Sequence, residues 1–171
     1  MAEVESPLGG TSVVDLLQQD LKEITQSRDV YIPVPGYDKS RLMVKYRLPE
    51  NSKELAEVAQ KVERQYKTVF ERNLYTVLDT MIVLCEGLYV QPEGADQPVM
   101  LDQENIGEPV RFDSRLAGYI NMNGSDEQTA RNVVRKLFDN RDFAMISHGE
   151  KLNRWLMTTK AESENEFWSG E

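Results

Sequence analysis

The residue types that most often carry chemistry are scarce in this chain. Its 171 residues include one histidine, His148, and one cysteine, Cys85. One of each cannot supply the ligand set of a typical zinc site. The sequence also lacks a phosphate-binding loop ending in Gly-Lys-Ser/Thr and a Gly-x-Ser-x-Gly nucleophile turn. We therefore predict that the protein is not an enzyme, and we expect no catalytic residue, no cofactor and no metal.

The pattern around the histidine and the cysteine favours structural roles for both. His148 precedes Leu152 by one turn, at the border of a predicted apolar helix face. A packed or hydrogen-bonded imidazole is therefore favoured over a general base. Cys85 shares a predicted helical face with Leu78 and Ile82. Because reactive thiolates need positive, partly exposed surroundings, this position favours an inert core thiol.

The charge balance is acidic, with 20 basic residues against 29 acidic residues and a net charge of −9. Long-range repulsion from phosphates therefore disfavours nucleic acid as a partner. Residues 39–72 are the exception, with nine basic and five acidic residues. Since pairs such as Glu57 and Lys61 alternate in sign four residues apart, a solvated helix face is favoured over a patch for an acidic partner.

Compartment and membrane association follow from two further features of the sequence. No apolar run approaches the roughly 18 residues of a membrane span, and the N-terminus is acidic, unlike a secretory signal. We therefore expect no membrane partner. A single cysteine cannot form an internal disulfide, which fits a reducing compartment such as the cytoplasm.

The elements that must position these residues follow from the hydrophobic pattern. It predicts an α+β fold that is mainly α-helical, with two short β-hairpins packed on a helical core. The first hairpin joins residues 30–34 to 42–48, and the second joins 88–90 to 99–101. The pattern does not decide whether the second and third helices form one kinked rod. Helical periodicity and caps, among them Asn51 and Asp113, place the helices over residues 12–27, 51–70, 73–86, 113–120, 125–138 and 141–157. The first helix has an apolar stripe that includes Leu17 and Leu21, and the second has an apolar face over residues 55–70 that includes Val69 and Phe70.

Individual residues predict where these elements end or touch. Pro33 lacks an N–H, so its strand should lie at a sheet edge or kink there. Gly87 is placed to end the third helix. Ser125 with Gln128 forms a capping box for the fifth helix. Gly149 within the last helix predicts a close contact between helices, because glycine there costs about 1 kcal/mol relative to alanine.

The domain organisation predicted from these patterns is simple. We expect a flexible N-terminal arm over residues 1–10, a single globular domain over 11–158 and a flexible acidic tail over 159–171. Bulky aromatics on an acidic tail are typical of docking peptides, although they could also fold back on the core. The candidate partner-binding residues are Tyr31, Tyr37 and Met43 on the first hairpin and Phe167 and Trp168 in the tail. The alternative for the three hairpin residues is the scattered exposure of apolar side chains that is ordinary on protein surfaces.

Several segments of the chain occur in a familiar order and spacing. They are DVYIPVPGY from Asp29, RLMVKYR from Arg41, PVRFDSRLA from Pro109, TARNVV from Thr129, and His148 followed by LNRW before an acidic end. In that arrangement they resemble the tail assembly chaperones of long-tailed, siphovirus-type phages that infect actinobacteria. The resemblance covers about residues 28 to 166.

That resemblance implies a small non-enzymatic protein of the infected host's cytoplasm. Such a protein binds the long tape measure protein, keeps it soluble and promotes assembly of the tail tube around it, and it is absent from the mature virion. The implied partners are the tape measure protein, the major tail protein, and a frameshifted longer form or further copies of the chain itself. A net charge of −9 is compatible with a soluble holding protein.

Two other classes of function stay open at this point. A virion structural protein, such as a head–tail connector or tail completion subunit, could use the hairpins for pairing between subunits. An enzyme or nucleic-acid-binding regulator would have to rely on His148 and on the basic stretch from Lys39 to Arg72.

Overall fold

The computed structural model describes residues 12–27, 29–102, 107–122 and 129–169, with no side chains described for 22–27 and 160–169. Within these residues the fold is α+β and mainly helical, as predicted. The predicted arm at 1–10 and the capping box at Ser125 lie outside the described residues.

The elements are α1 (Val13–Ser27), β1 (Asp29–Pro33), β2 (Met43–Arg47), α2 (Ser52–Gln65), α3 (Val69–Leu84), β3 (Cys85–Val90), β4 (Val99–Met100), α4 (Ser114–Tyr119), α5 (Ala130–Leu137) and α6 (Asp142–Ser169).

The two predicted hairpins join into one antiparallel sheet with the strand order β1-β2-β3-β4. β1 lies at the edge, as Pro33 predicts. Val44 and Tyr46 in β2 are fully buried, and Lys45 between them points to the opposite face. This period-two alternation places one face of the sheet on the core and leaves the other open.

The third helix ends earlier than its apolar pattern predicts. α3 stops at Leu84, and Cys85 already begins β3, where it pairs with Tyr46. Gly87 therefore lies within a strand and does not end the helix. A Cβ atom at Gly87 would overlap the Pro109 side chain, so the glycine permits a close approach of two segments.

The apolar face predicted over residues 55–70 is interrupted, because α2 and α3 are separate helices. α2 ends at Gln65, and Thr68 caps α3 by accepting a hydrogen bond from the backbone N–H of Glu71. Val69 and Phe70 open α3 and are exposed, so their predicted place on the buried face was wrong.

Two boundaries near the C-terminal part of the chain also differ from the prediction. α5 begins at Ala130 with Thr129 as its cap, because the Thr129 hydroxyl accepts from the N–H of Asn132. The chain then turns at Asp139 and Asn140, both in the left-handed region, as the predicted helix break requires. α6 continues to Ser169, well beyond the end predicted near Met157.

The core lies between the sheet and the helices α3, α5 and α6. α3 and α6 pack closely where Gly149 faces Val77, which confirms the close helix contact predicted for this glycine. The largest fully buried side chains of the core are Tyr46, Leu78, Met81, Leu84, Leu88, Leu116, Leu137, Phe138, Met145 and Leu152.

Gly149→Ala should lower the free energy of unfolding by about 1–3 kcal/mol, because the added methyl group overpacks the α3–α6 contact. The cause is steric, since a Cβ atom at this position overlaps Cγ1 of Val77. Urea denaturation measures the change. Gly118→Ala in α4 is the matched control, because no atom lies within 4 Å of its added Cβ. Equal effects of the two substitutions would contradict the packing account.

Candidate functional site

The one histidine is a buried link between α6 and the sheet. His148 is 1% exposed, its Nε2 lies 2.7 Å from the Tyr46 hydroxyl, and its Nδ1 lies 2.9 Å from the Pro33 carbonyl oxygen. Because a carbonyl oxygen can only accept, Nδ1 carries the proton and Nε2 accepts from Tyr46. The ring also packs edge-on against Phe138. The predicted packing and hydrogen-bonding role of His148 is confirmed.

Burial controls the protonation of both candidate reactive residues. It lowers the pKa of His148 to about 4, although the Pro33 carbonyl favours the proton. It raises the pKa of the Cys85 thiol to about 12. At neutral pH the imidazole is therefore neutral and the thiol stays protonated. Cys85 is a buried core thiol, as predicted, although it begins a strand.

Protonation of His148 should make the protein less stable in acid. Well above pH 6.5 the imidazole is neutral in both the folded and the unfolded state, so its depressed pKa does not affect stability there. As the pH falls from about 6.5 to about 4, only the unfolded chain gains this proton, so stability falls by roughly 3 kcal/mol. His148→Gln keeps a donor and an acceptor but does not titrate there.

The check is urea unfolding of the wild-type chain and the His148→Gln variant between pH 4 and pH 7.5, compared at each pH. The stability advantage of the wild type should shrink as the pH falls, while carboxylates titrate alike in both chains. An advantage that stays constant across this range would show that the imidazole does not have a depressed pKa.

A second polar network lies at the surface, where α3 meets α5. Arg131 forms a two-pronged ion pair with Asp79, with its Nε 2.8 Å from Oδ1 and its Nη2 2.6 Å from Oδ2. Arg131 also donates to the Tyr66 hydroxyl at 3.0 Å. Its guanidinium lies 5.7 and 5.2 Å from the rings of Tyr66 and Tyr75, which stack 4.0 Å apart. The hydrogen bonds that Arg131 donates to Asp79 raise the pKa of the Arg131 guanidinium.

This network forms one end of a cavity of about 730 Å³, which we call the α2/α5 groove. Its floor comes from α3, and its two walls come from α2 and from the start of α5. A smaller depression continues along α2 past Arg64. The groove is lined by Glu54, Glu57, Val58, Lys61, Tyr66, Tyr75, Asp79, Ile82, Val83, Thr129, Ala130, Arg131, Asn132 and Arg135.

The charges of the groove are unevenly neutralised. Glu54 is ion-paired with Arg47 of β2, which lowers the pKa of the Glu54 carboxyl, and Asp79 is held by Arg131. The Arg135 Nη2 lies 3.1 Å from Asp142, and its buried Nη1 has no hydrogen-bond partner among the described residues. Glu57 and Lys61 are both exposed on the α2 wall. The rim therefore carries charges of both signs, and Arg64 follows along α2 beside the smaller depression.

The candidate residues predicted on the first hairpin do not share one surface. Tyr31 is 40% exposed on the open sheet face, where its ring meets Tyr89 edge-on, and Met43 lies opposite Tyr89 in the register. Tyr37 is half-buried in the β1–β2 loop, and its hydroxyl donates to the carbonyl of Leu137. Their partner-binding role stays a prediction.

The two aromatic residues predicted in the tail lie near the end of the longest helix. The backbone at Phe167 and Trp168 belongs to α6, while their side chains lie outside the described part of the structure. Their role as a docking peptide stays a prediction. Of the predicted partner-binding residues, the three whose side chains the structure describes, Tyr31, Tyr37 and Met43, do not line the α2/α5 groove.

Sequence reasoning missed the residues that form the groove. Asp79 offered one signal, because it is a charged residue within the most apolar helix, and such a residue is rarely buried without a partner. It is 8% exposed. Its partner Arg131 is 52 residues away along the chain, so no local spacing connects the two.

Comparisons with known proteins do not assign this site. No family model matches the chain, and neither a curated protein nor a solved structure shows significant similarity to it. None of the described helices is both long and apolar enough to cross a membrane. The residues that the structure describes include no group of three His, Cys, Asp or Glu side chains that could hold a metal ion.

Proposed function

We propose that this protein is a tail assembly chaperone of a siphovirus-type phage. In this proposal it acts in the cytoplasm of the infected host, binds the tape measure protein and keeps it soluble while the tail tube assembles around it. It has no enzymatic activity and leaves before the virion matures. The ordered segments from Asp29 to Trp155 support the family, and the α2/α5 groove supports the mode of action.

The α2/α5 groove is the observation that carries the proposal. Its cavity of about 730 Å³ runs along two helices, and its apolar lining includes Ile82 and Val83 of the α3 floor and Val58 of the α2 wall. An apolar floor with a polar rim is the arrangement that receives the apolar face of an amphipathic helix. A long helical client offers many such faces, and each would otherwise expose apolar surface to water.

The polar rim of the α2/α5 groove favours release of a client helix as well as its binding. Lys61 and Arg64 are exposed on α2, so their contacts with a client remain largely solvated and contribute little affinity each. Such contacts orient the partner and speed encounter more than they strengthen binding. A chaperone that must give up its client to an assembling tube needs this combination.

A virion structural protein is the second candidate, and the edge strand β1 favours it. β1 pairs with β2 on one side, and the sheet order leaves its other side open among the described strands. Open edges are used for pairing between subunits in assembled shells. Mass spectrometry of purified particles separates the two functions. Stoichiometric presence of this chain in the particle supports the structural role and contradicts the chaperone.

Co-expression should keep the tape measure protein of the same phage soluble, and the two should elute together in size-exclusion chromatography. Ala130→Tyr should reduce both effects, because the ring projects from the first position of α5 into the α2/α5 groove. Ala95→Tyr is the matched control, since Ala95 lies in the β3–β4 loop outside the groove. Circular dichroism confirms that both variants fold.

Two results would contradict the proposal. A tape measure protein that is equally soluble with and without this chain would remove the chaperone function. A complex that tolerates Ala130→Tyr as well as Ala95→Tyr would remove the groove as its site.

A further inference from the structure

The first helix leaves a row of aliphatic side chains uncovered. Val13, Val14, Leu17 and Leu21 are between 55% and 66% exposed. Leu17 and Leu21 belong to the apolar stripe that the sequence predicts, but the chain's own core does not bury them. We call these four residues the α1 row. A contiguous apolar row on an otherwise charged surface typically marks a contact site.

The α1 row and the α2/α5 groove agree in length. The row spans eight residue steps, from Val13 to Leu21, which is about 12 Å at 1.5 Å per residue. The α2 wall runs from Glu54 to Lys61 and the α5 wall from Thr129 to Arg135, which is about 9–11 Å by the same rise. Both features therefore extend over about two helical turns.

The two features also agree in chemistry. The aliphatic α1 row matches the apolar floor of the groove, where Ile82 and Val83 are half-buried. Asp20 flanks the row, roughly 20° from Val13 around the helix axis at 100° per residue. A helix seated in the groove with its row toward the floor can place this carboxylate beside the α2 wall, where Lys61 and Arg64 are exposed.

The chain's own groove does not receive its own α1, because the row is exposed in the folded chain. α1 contacts β1, the edge strand that follows it, whereas α2, α3 and α5 form the groove. A groove occupied by an α1 helix must therefore take it from another molecule. Such a contact joins different surfaces of the two copies, head to tail.

We propose that, in the absence of client, the α2/α5 groove of one copy holds the α1 helix of a second copy, so that self-association and client binding exclude each other. This inference rests on the proposed function, since it concerns the regulation of the same groove. Docked in this way, the α1 row is shielded from water and the groove is closed to the wrong partners. A client helix that enters the groove releases α1.

Disulfide trapping with the full-length chain tests the contact directly. Two differently tagged chains are mixed, one carrying Leu17→Cys on α1 and the other Ala130→Cys in the groove. Under oxidising conditions they should form a mixed disulfide. The yield of this disulfide should fall when the chain that carries Ala130→Cys has been co-expressed with the tape measure protein. The control mixes Ala130→Cys with Val99→Cys, an exposed aliphatic position on β4, and this pair should form much less of the mixed product.

Sedimentation velocity gives an independent readout. The wild-type chain should form species larger than a monomer as its concentration rises. Leu17→Gln and the paired variant Lys61→Glu/Arg64→Glu should each shift the protein toward the monomer. Lys39→Glu/Lys136→Glu makes the same change in charge at exposed positions outside the groove, and it should leave the association unchanged.

The outcomes separate this inference from the proposed function. A chain that is monomeric at every concentration and gives no selective mixed disulfide, yet still keeps the tape measure protein soluble, overturns the self-docking and leaves the chaperone intact. Self-association without any effect on the tape measure protein supports the α1 contact and removes the chaperone. If Leu17→Gln abolishes client solubility in a monomeric chain, α1 binds the client itself and the self-docking is wrong.

Discussion

One neutral imidazole fixes the position of the longest helix relative to the sheet. His148 accepts from Tyr46 and donates to Pro33, so it connects α6 to two adjacent strands. Its neighbour Gly149 lets α6 approach Val77 of α3 closely. Because α3 supplies the floor of the α2/α5 groove, the position of that floor follows from the histidine link and from the glycine beside it.

The position of α5 depends on a second polar contact, which is partly buried. Asp79 and Arg131 form a pair whose charges would be costly to bury separately, and removal of one partner would leave the other without compensation. Arg131 also donates to Tyr66 and Gln65 at the end of α2, so it connects the start of α5 to both α3 and α2. The stacked rings of Tyr66 and Tyr75 cover the guanidinium from the side. Apolar packing alone would specify the position less well, because it has no direction.

Local sequence signals predicted much of this fold, and the errors have a common physical cause. Asn51 does cap α2, and Asp113 does cap α4, because these caps bond to backbone groups two or three residues away. The predicted end of α3, at residue 86, was wrong because the apolar run around Cys85 suits either a helix or a strand. Pairing with Tyr46 in β2 decides for the strand, and that partner is remote in sequence.

The α2/α5 groove could not be predicted from the sequence for the same reason, because its residues are remote from one another along the chain. Its residues come from three helices, and no periodic pattern connects Glu57, Asp79 and Arg131 before the chain folds. The aromatic residues singled out from the sequence were chosen for their type, which indicates contact surfaces in general. What distinguishes the groove is the assembled arrangement of an apolar floor, ion-paired acids and a polar rim.

Recognition of apolar helices by the α2/α5 groove is the central claim, and hydrogen–deuterium exchange tests it most directly. The exchange of the free chain is compared with that of the chain in its purified complex with the tape measure protein. The account predicts slower exchange in the complex along α2, in α3 from Asp79 to Val83 and at the start of α5. Slower exchange confined to the strands β1 and β2, or no change in any of the three helices, would contradict it.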